Sequence, residues 1–247
     1  MIKFFRKARY DLMEKNKTGK YLKYAVGEIV LVVIGILIAL QLNLYKENSK
    51  ENKVMKSYCN QLLEDLNEDK KFLTSYIEDM TFFKSEYKRY LDSYKGKNLS
   101  LKESLKNLKQ LDSDIHHIIF NSSTFQSLEK SGDINILTDA IRSKLIDLKN
   151  KQQELIERTN QNNRAQRRLI EKIVLAVGPN DFSERVSSHP KMLSAFGNEI
   201  NQAKGFMARE STIAWKFYTE RSEEFKELLL QIEALISIIN NEMQTNN

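Results

Sequence analysis

Two prolines and eight glycines in 247 residues leave few places where the chain must turn. That scarcity favours long helices. A single cysteine, Cys59, excludes an intrachain disulfide and leaves the redox compartment unreadable. There is no glycine-rich phosphate loop, no nucleophile elbow and no Cys/His cluster, so neither an enzyme nor a cofactor is expected. The three histidines lack the i, i+4 spacing of a helical metal pair, and a structural role is expected of them. A charged surface of one sign is also missing. Residues 24–247 carry 31 basic and 31 acidic groups, whereas a nucleic-acid binder spreads basic groups over a domain face.

The net charge of +6 lies instead in residues 1–23, where eight Lys and Arg face only Asp11 and Glu14. Directly after it comes YAVGEIVLVVIGILIALQLNLY, Tyr24 to Tyr45, with an unbroken apolar run from Ile29 to Leu40. Residues 25–44 have the roughly 20-residue length needed to cross about 30 Å of hydrocarbon. A tyrosine stands at each end, where aromatic rings favour the headgroup level. The lipid bilayer is thus the first expected partner. The basic flank places residues 1–23 in the cytoplasm and residues 46–247 on the far side. No small-x-small cleavage pattern follows the run, so an uncleaved signal anchor is expected. Residues 1–17 put Met1, Phe5, Ala8 and Leu12 on one face and cations around the other, as in a helix lying in the membrane interface. Thr18-Gly19 is the expected break before the spanning helix.

From residue 46 to Gly96 nothing interrupts a helix, which can continue the membrane segment. Spacings of four and three place Met55, Cys59, Leu62, Leu66, Asp69, Leu73, Tyr76, Met80, Phe83, Tyr87, Tyr90 and Tyr94 on one seam. Asp69 is the polar exception, expected as a register device or a solvent-open spot. Ser100 with Glu103 forms a candidate capping box for a short helix striped by Leu101, Leu105, Leu108 and Leu111. Ser123 and Gly132 bracket another short helix. Thr138 is the candidate cap of a long helix to about Val177, ended by Gly178-Pro179. Its middle, TNQNNRAQRR (159–168), is polar and is expected to face water. Residues 179–198 read as irregular, with a short helix after Pro190. A last long helix, about Glu199 to Met243, carries the seam Ala214, Tyr218, Arg221, Phe225, Leu228, Ile232, Leu235 and Ile239. The expectation is an all-α protein: one N-terminal transmembrane helix (24–45) continuing into an extracytoplasmic bundle (46–247) of three long helices plus short ones.

The opening MIKFFRKARYDLMEKNKTGKYLKYAVGEIVLVVIGILIALQLNLYKE resembles an uncharacterised family of single-pass membrane proteins common in Bacteroidota. The most specific part is GEIVLVVIGILIALQ, Gly27 to Gln41, and TFQSLEKSGDINIL, 124–137, is a second matching stretch. The resemblance implies an inner-membrane anchor with a helical periplasmic part, and it implies no activity.

Two sets of candidate site residues remain. Glu28, Gly35 and Leu42 recur every seven residues with Ala39 on the same side, and Gly35-x-x-x-Ala39 lets two membrane helices approach closely. Glu28 is read either as an interfacial carboxylate favoured at a helix start, as an oligomer contact, or as an ion or proton site. The second set lies in the irregular connection 116–137: His116, His117, Phe120, Thr124, Phe125 and Gly132, as a recognition segment or as an apolar plug for one end of the bundle. The functional expectation is a membrane-anchored structural or interaction protein, a homo-oligomer or a subunit with another envelope protein. A ligand-binding ectodomain acting through a partner, and a channel-forming oligomer, are the alternatives.

Overall fold

The computed structural model describes residues 18–177 and 199–245. The interfacial helix expected in residues 1–17 and the irregular stretch with its helix after Pro190 lie outside them. Among the described residues six helices follow in order: α1 (Thr18–Ser93), α2 (Leu101–Lys109), α3 (Ser123–Ser131), α4 (Asp139–Val177), α5 (Glu199–Thr219) and α6 (Ser222–Thr245), with a 3-10 turn, Asp133–Ile136, after α3. No strand occurs among the described residues, so the all-α class holds. The chain divides into two compact units, Met1–Ser57 and Tyr58–Asn247.

In the first unit α1 is helical from Thr18, so Thr18 and Gly19 are not a break. Its most apolar eighteen residues reach a mean hydropathy of 2.5 and none of them is buried. Ile29, Leu31, Leu37 and Leu42 are each more than half exposed. Among the described residues this is one helix long and apolar enough to cross a membrane.

The second unit is built on the α1 seam. Cys59, Leu62, Leu66, Asp69, Leu73, Met80, Phe83, Tyr87 and Tyr90 are all buried, as is Met55 before them, and Tyr76 and Tyr94 are half-buried. Alternating three- and four-residue steps keep these side chains on one stripe, which is why the pattern is readable. Toward the end of α1 the stripe turns aromatic. Phe83, Tyr87 and Tyr90 pack with Leu108 and Leu111 of the α2 region and Ile213 of α5, and Phe206 and Phe217 lean against them. Burying each such ring removes 150 Å² or more from water, about 2–3 kcal/mol apiece.

The contacts fix the directions of the helices. Tyr87 meets Glu210 and Phe217, Tyr76 meets Phe225, and Lys70 meets Glu233. Numbers rise on α1 as they fall on α5 and α6, so those helices run antiparallel to it. The connection 112–137 also runs back along α1: His116 lies by Tyr76, Phe120 by Phe72, Asn121 by Asp69, Thr124 by Asp65 and Asp133 by Tyr58. It descends α4 in the same sense, from Ser113 at Gln166 to Asn121 at Lys149. α1 and α4 are therefore parallel, and the connection is a strap along their flank rather than a plug at one end.

The caps agree in part. Ser100 and Glu103 form the expected capping box, Ser100 Oγ accepting from the Glu103 N–H and Glu103 Oε2 accepting from the Ser100 N–H. Gly132 closes α3 in the left-handed region at φ 78°, as expected of a glycine there. α3 starts at Ser123 with Ser122 before it, and neither hydroxyl caps it. Thr138 precedes α4, but its Oγ1 is buried without a partner, and the first turn is closed by Arg142 N–H donating to the Thr138 carbonyl.

The last long stretch is two helices, broken at Glu220-Arg221. The apolar periodicity predicts one continuous seam through this point, and the break shifts it. Ile213 and Lys216 are buried on α5 and Ser222, Phe225 and Leu228 on α6, while Tyr218 and Arg221, expected in the seam, face solvent. Two adjacent carboxylates, Glu223 and Glu224, open α6, where the exposed N–H groups of a helix start favour negative charge.

Candidate functional site

The strap is held by side chains that end in oxygen. Asp69, 1% exposed, accepts from the Asn121 backbone N–H at 2.8 Å, from Asn121 Nδ2 at 3.2 Å and from Gln152 Nε2 at 2.9 Å. Lys149 Nζ stands 4.0 Å from it and donates to the Asn121 carbonyl at 2.5 Å. Asp69 is thus no solvent-open spot. It is a buried carboxylate whose donors come from two other parts of the chain, which suits a registering role. Burial pushes its carboxyl up, and the Asn121 N–H, the Gln152 amide and Lys149 offset this only in part. Burial likewise lowers Lys149, against the pull of Asp69 and Asp65. Glu68 takes Asn121 Nδ2 at 3.1 Å, Asp65 takes the Thr124 N–H at 3.3 Å and Asp133 takes the Tyr58 hydroxyl at 2.9 Å.

From the α4 side the strap is fastened by amides. Asn163 Nδ2 donates to the His116 carbonyl at 2.9 Å, and Gln166 Nε2 donates to the Ser113 carbonyl at 3.2 Å. Both side chains are buried, contrary to the expectation that the polar middle of α4 faces water. An irregular segment laid along a helix presents carbonyls that no ladder satisfies, and the amides of α4 supply the missing donors. Only part of that middle is solvated, including Asn160, Gln161, Arg164, Arg167 and Arg168.

A second fastening lies nearer the end of α1. Lys216, 7% exposed, donates to Asp112 Oδ2 at 2.7 Å and to the Asp114 carbonyl at 3.1 Å, with its Nζ 4.6 Å from the centre of the Phe83 ring. His116 Nε2 lies 3.0 Å from the same Asp112 oxygen. Burial pushes the Asp112 carboxyl up, but Lys216, the Asp114 N–H and His116 together outweigh it and hold it at about 2.

Between these fastenings and the α5–α6 break is a cavity of about 50 Å³, lined by Tyr76, His116, Arg158, Asn162, Glu220 and Phe225 among others. It has room for a few water-sized groups. Its basic side chains are engaged: Arg158 with Glu224 at 2.9 Å and with Glu154, Arg221 with Glu224 at 3.1 Å, and Lys216 with Asp112. Glu220 differs. Its side chain is 2% exposed and forms an ion pair with Lys84 through Oε2. Lys84 Nζ also donates to Ser222 Oγ at 2.9 Å.

The residues singled out from sequence therefore scatter. Phe120 and Thr124 are buried in the strap, Phe125 is half-buried, Gly132 is its left-handed turn and His117 is an exposed partner of Arg167 at 3.1 Å. His116 alone of the six lines the cavity. Glu28, Gly35, Ala39 and Leu42 belong to the first unit, and a Cβ at Gly35 would meet nothing within 4 Å. Sequence reasoning passes over Lys84, Asp112, Lys216 and Glu220, which sit beside a helix break that no glycine or proline marks. The available signal is Arg221-Ser222-Glu223-Glu224, a helix-start pattern.

Fold and surface together define a helical-bundle protein with, among the described residues, one candidate membrane-spanning helix. Within that class the chain belongs to DUF6090, a family of unknown function, which residues 28–207 match. No curated protein and no solved structure matches the chain.

Proposed function

We propose that this is a membrane-anchored interaction protein of the bacterial envelope and not an enzyme, assembling with copies of itself or with another envelope protein. Residues 1–23 are then cytoplasmic, residues 24–45 span the inner membrane, and residues 46–247 form the periplasmic part. The observation that carries this reading is the uncovered apolar segment of α1. A water-exposed helix would not leave so many aliphatic side chains bare, and the basic flank sets its direction. Along it, Glu28, Gly35, Ala39 and Leu42 provide a face on which a second helix can pack closely. A Cβ added at Gly35 meets nothing within 4 Å in the chain, so a loss of association in Gly35→Leu is expected to be intermolecular. Crosslinking in native membranes, with and without this substitution, tests the proposal.

A second reading, a ligand-binding ectodomain acting through a partner, is favoured by the cavity between the strap and the α5–α6 break. A rise in melting temperature of the full chain with a bound small molecule tests that reading.

A further inference from the structure

The strap lies between an acidic edge and a basic edge on one face of the second unit. On α1, Glu68 and Phe72 meet the strap at Asn121 and Phe120. Steps of three and four residues carry that stripe on through Ser75, Asp79 and Phe82. All three are exposed, Phe82 to 67%. Among the described residues neither Asp79 nor its exposed neighbour Glu78 has an ion-pair partner. On α4, Arg167 meets the strap at His117, and Arg164 and Arg168 are exposed beside it. Arg89, Arg142, Arg158 and Arg221 each hold a carboxylate. Among the described residues Arg164, Arg167 and Arg168 hold none. Between the edges Ile119 of the strap is 76% exposed, while Ile118 and Phe120 on either side of it are buried.

The two edges stand at one height. His116 lies against Tyr76 of α1 and gives its carbonyl to Asn163 of α4, and these helices run parallel. At about 1.5 Å per residue, Asp79 is about 4.5 Å beyond that level and Arg167 about 6 Å beyond it. Other charges near the edges leave their signs unchanged. Arg89 is taken by Glu86, Lys71 lies about two turns away from Asp79, and Glu171 and Lys172 offset each other. Within one chain the strap stands between acid and base. A two-fold axis along the bundle, passing in front of the strap, brings the acidic edge of each copy against the basic edge of the other.

We propose that the second units of two parallel copies dock through this face. Glu78 and Asp79 of each copy meet Arg164, Arg167 and Arg168 of the other, and the two Ile119 side chains meet near the axis. The inference rests on the homo-oligomer reading and gives the second unit a contact of its own besides the Gly35 face. Copies anchored in one membrane run in the same direction, as this axis needs. Guanidinium groups suit such a contact because each can hold a carboxylate through two N–H groups.

The test uses the full chain in native membranes. Ile119→Cys is treated with a short bismaleimide, and the native Cys59 is buried. Leu230→Cys, 64% exposed on α6, which carries no part of this face, is the control. Ile119→Cys is expected to give a crosslinked dimer and Leu230→Cys is not. Arg164→Glu with Arg167→Glu should lower the Ile119→Cys dimer at least about threefold, as should Glu78→Arg with Asp79→Arg. All four substitutions in one chain should restore it, because the exchanged charges pair again between copies. If a reversed pair melts early, Arg164→Gln with Arg167→Gln takes its place and should lower the dimer in the same direction. Crosslinking of Leu230→Cys as strong as that of Ile119→Cys would overturn this face. So would the absence of an Ile119→Cys dimer where a lysine-reactive reagent still gives dimers of the parent chain, which leaves the homo-oligomer reading in place. Reversals that change nothing, or a fourfold variant that does not recover the dimer, would overturn the assignment too. Monomer alone with both reagents would overturn this inference and the homo-oligomer reading together.

Discussion

Asp69 Oδ1 accepts the backbone N–H of Asn121 at 2.8 Å, joining the middle of a long helix to an irregular connection 52 residues further along. The carboxylate is visible in the sequence as a break in an apolar seam. Its role is to hold the strap at one register, because the same side chain also takes Gln152 of α4. Asp69→Ala would leave a buried N–H and an amide without acceptors and Lys149 without its charge partner. The expected cost is about 3–5 kcal/mol. Thermal unfolding of the purified chain measures it, and hydrogen exchange should show the Asn121 amide losing protection first.

Acid should act through Asp112. Its carboxyl sits at about 2 in the fold, below its ordinary 3.8. A lowered carboxyl contributes stability above its unfolded value and loses it as pH falls, so this contribution disappears between about pH 4 and pH 2. Asp112→Asn should flatten the stability curve in that window. Asp69 has the opposite sign: its carboxyl is raised by burial, so its contribution is complete in acid and declines as pH rises through the folded value. Melting temperatures across the acid range, for the parent chain and each Asn variant, separate the two.

Lys84 and Glu220 form an ion pair in which one side chain is nearly fully buried. Lys84→Met leaves that carboxylate without a counter-charge and should cost about 3 kcal/mol or more. Adding Glu220→Gln to Lys84→Met should recover part of the loss, and the double-mutant cycle on urea unfolding gives the coupling. Additive effects of the two substitutions would contradict the pairing.

Gly132 adopts φ 78° with open space around its Cα. Its need for glycine is conformational rather than steric. Gly132→Ala should therefore cost about 1–2 kcal/mol through backbone strain alone. Gly132→Asn should cost less, since Asn tolerates that region. Thermal unfolding distinguishes the two variants.

The parts of the fold that follow from periodicity are legible in the sequence. The α1 seam from Met55 to Tyr90 is a direct reading of three- and four-residue steps, because apolar side chains on one helix face have to be covered. The α2 capping box is legible because Ser100 and Glu103 interact within one turn. Asn163 and Gln166 are not, since amides look alike whether they meet water or distant carbonyls, and the His116 and Ser113 carbonyls that need them lie about fifty residues away. The α5–α6 break escapes sequence reading for a related reason. A helix can end without glycine or proline where a tertiary contact takes up a freed backbone group, as the Asn162 amide does by donating to the Thr219 carbonyl at 3.3 Å. Composition places the candidate recognition residues, and it finds the strap but not which of its side chains face the cavity.

Association of α1 through the face of Gly35 and Ala39 is the central functional claim. Crosslinking of the full chain in native membranes, followed by denaturing electrophoresis, tests this most directly. Dimer or larger species in the parent chain, reduced in Gly35→Leu at equal expression, are the predicted result. A ladder containing only monomer in the parent chain, or an unchanged ladder in Gly35→Leu, would contradict it.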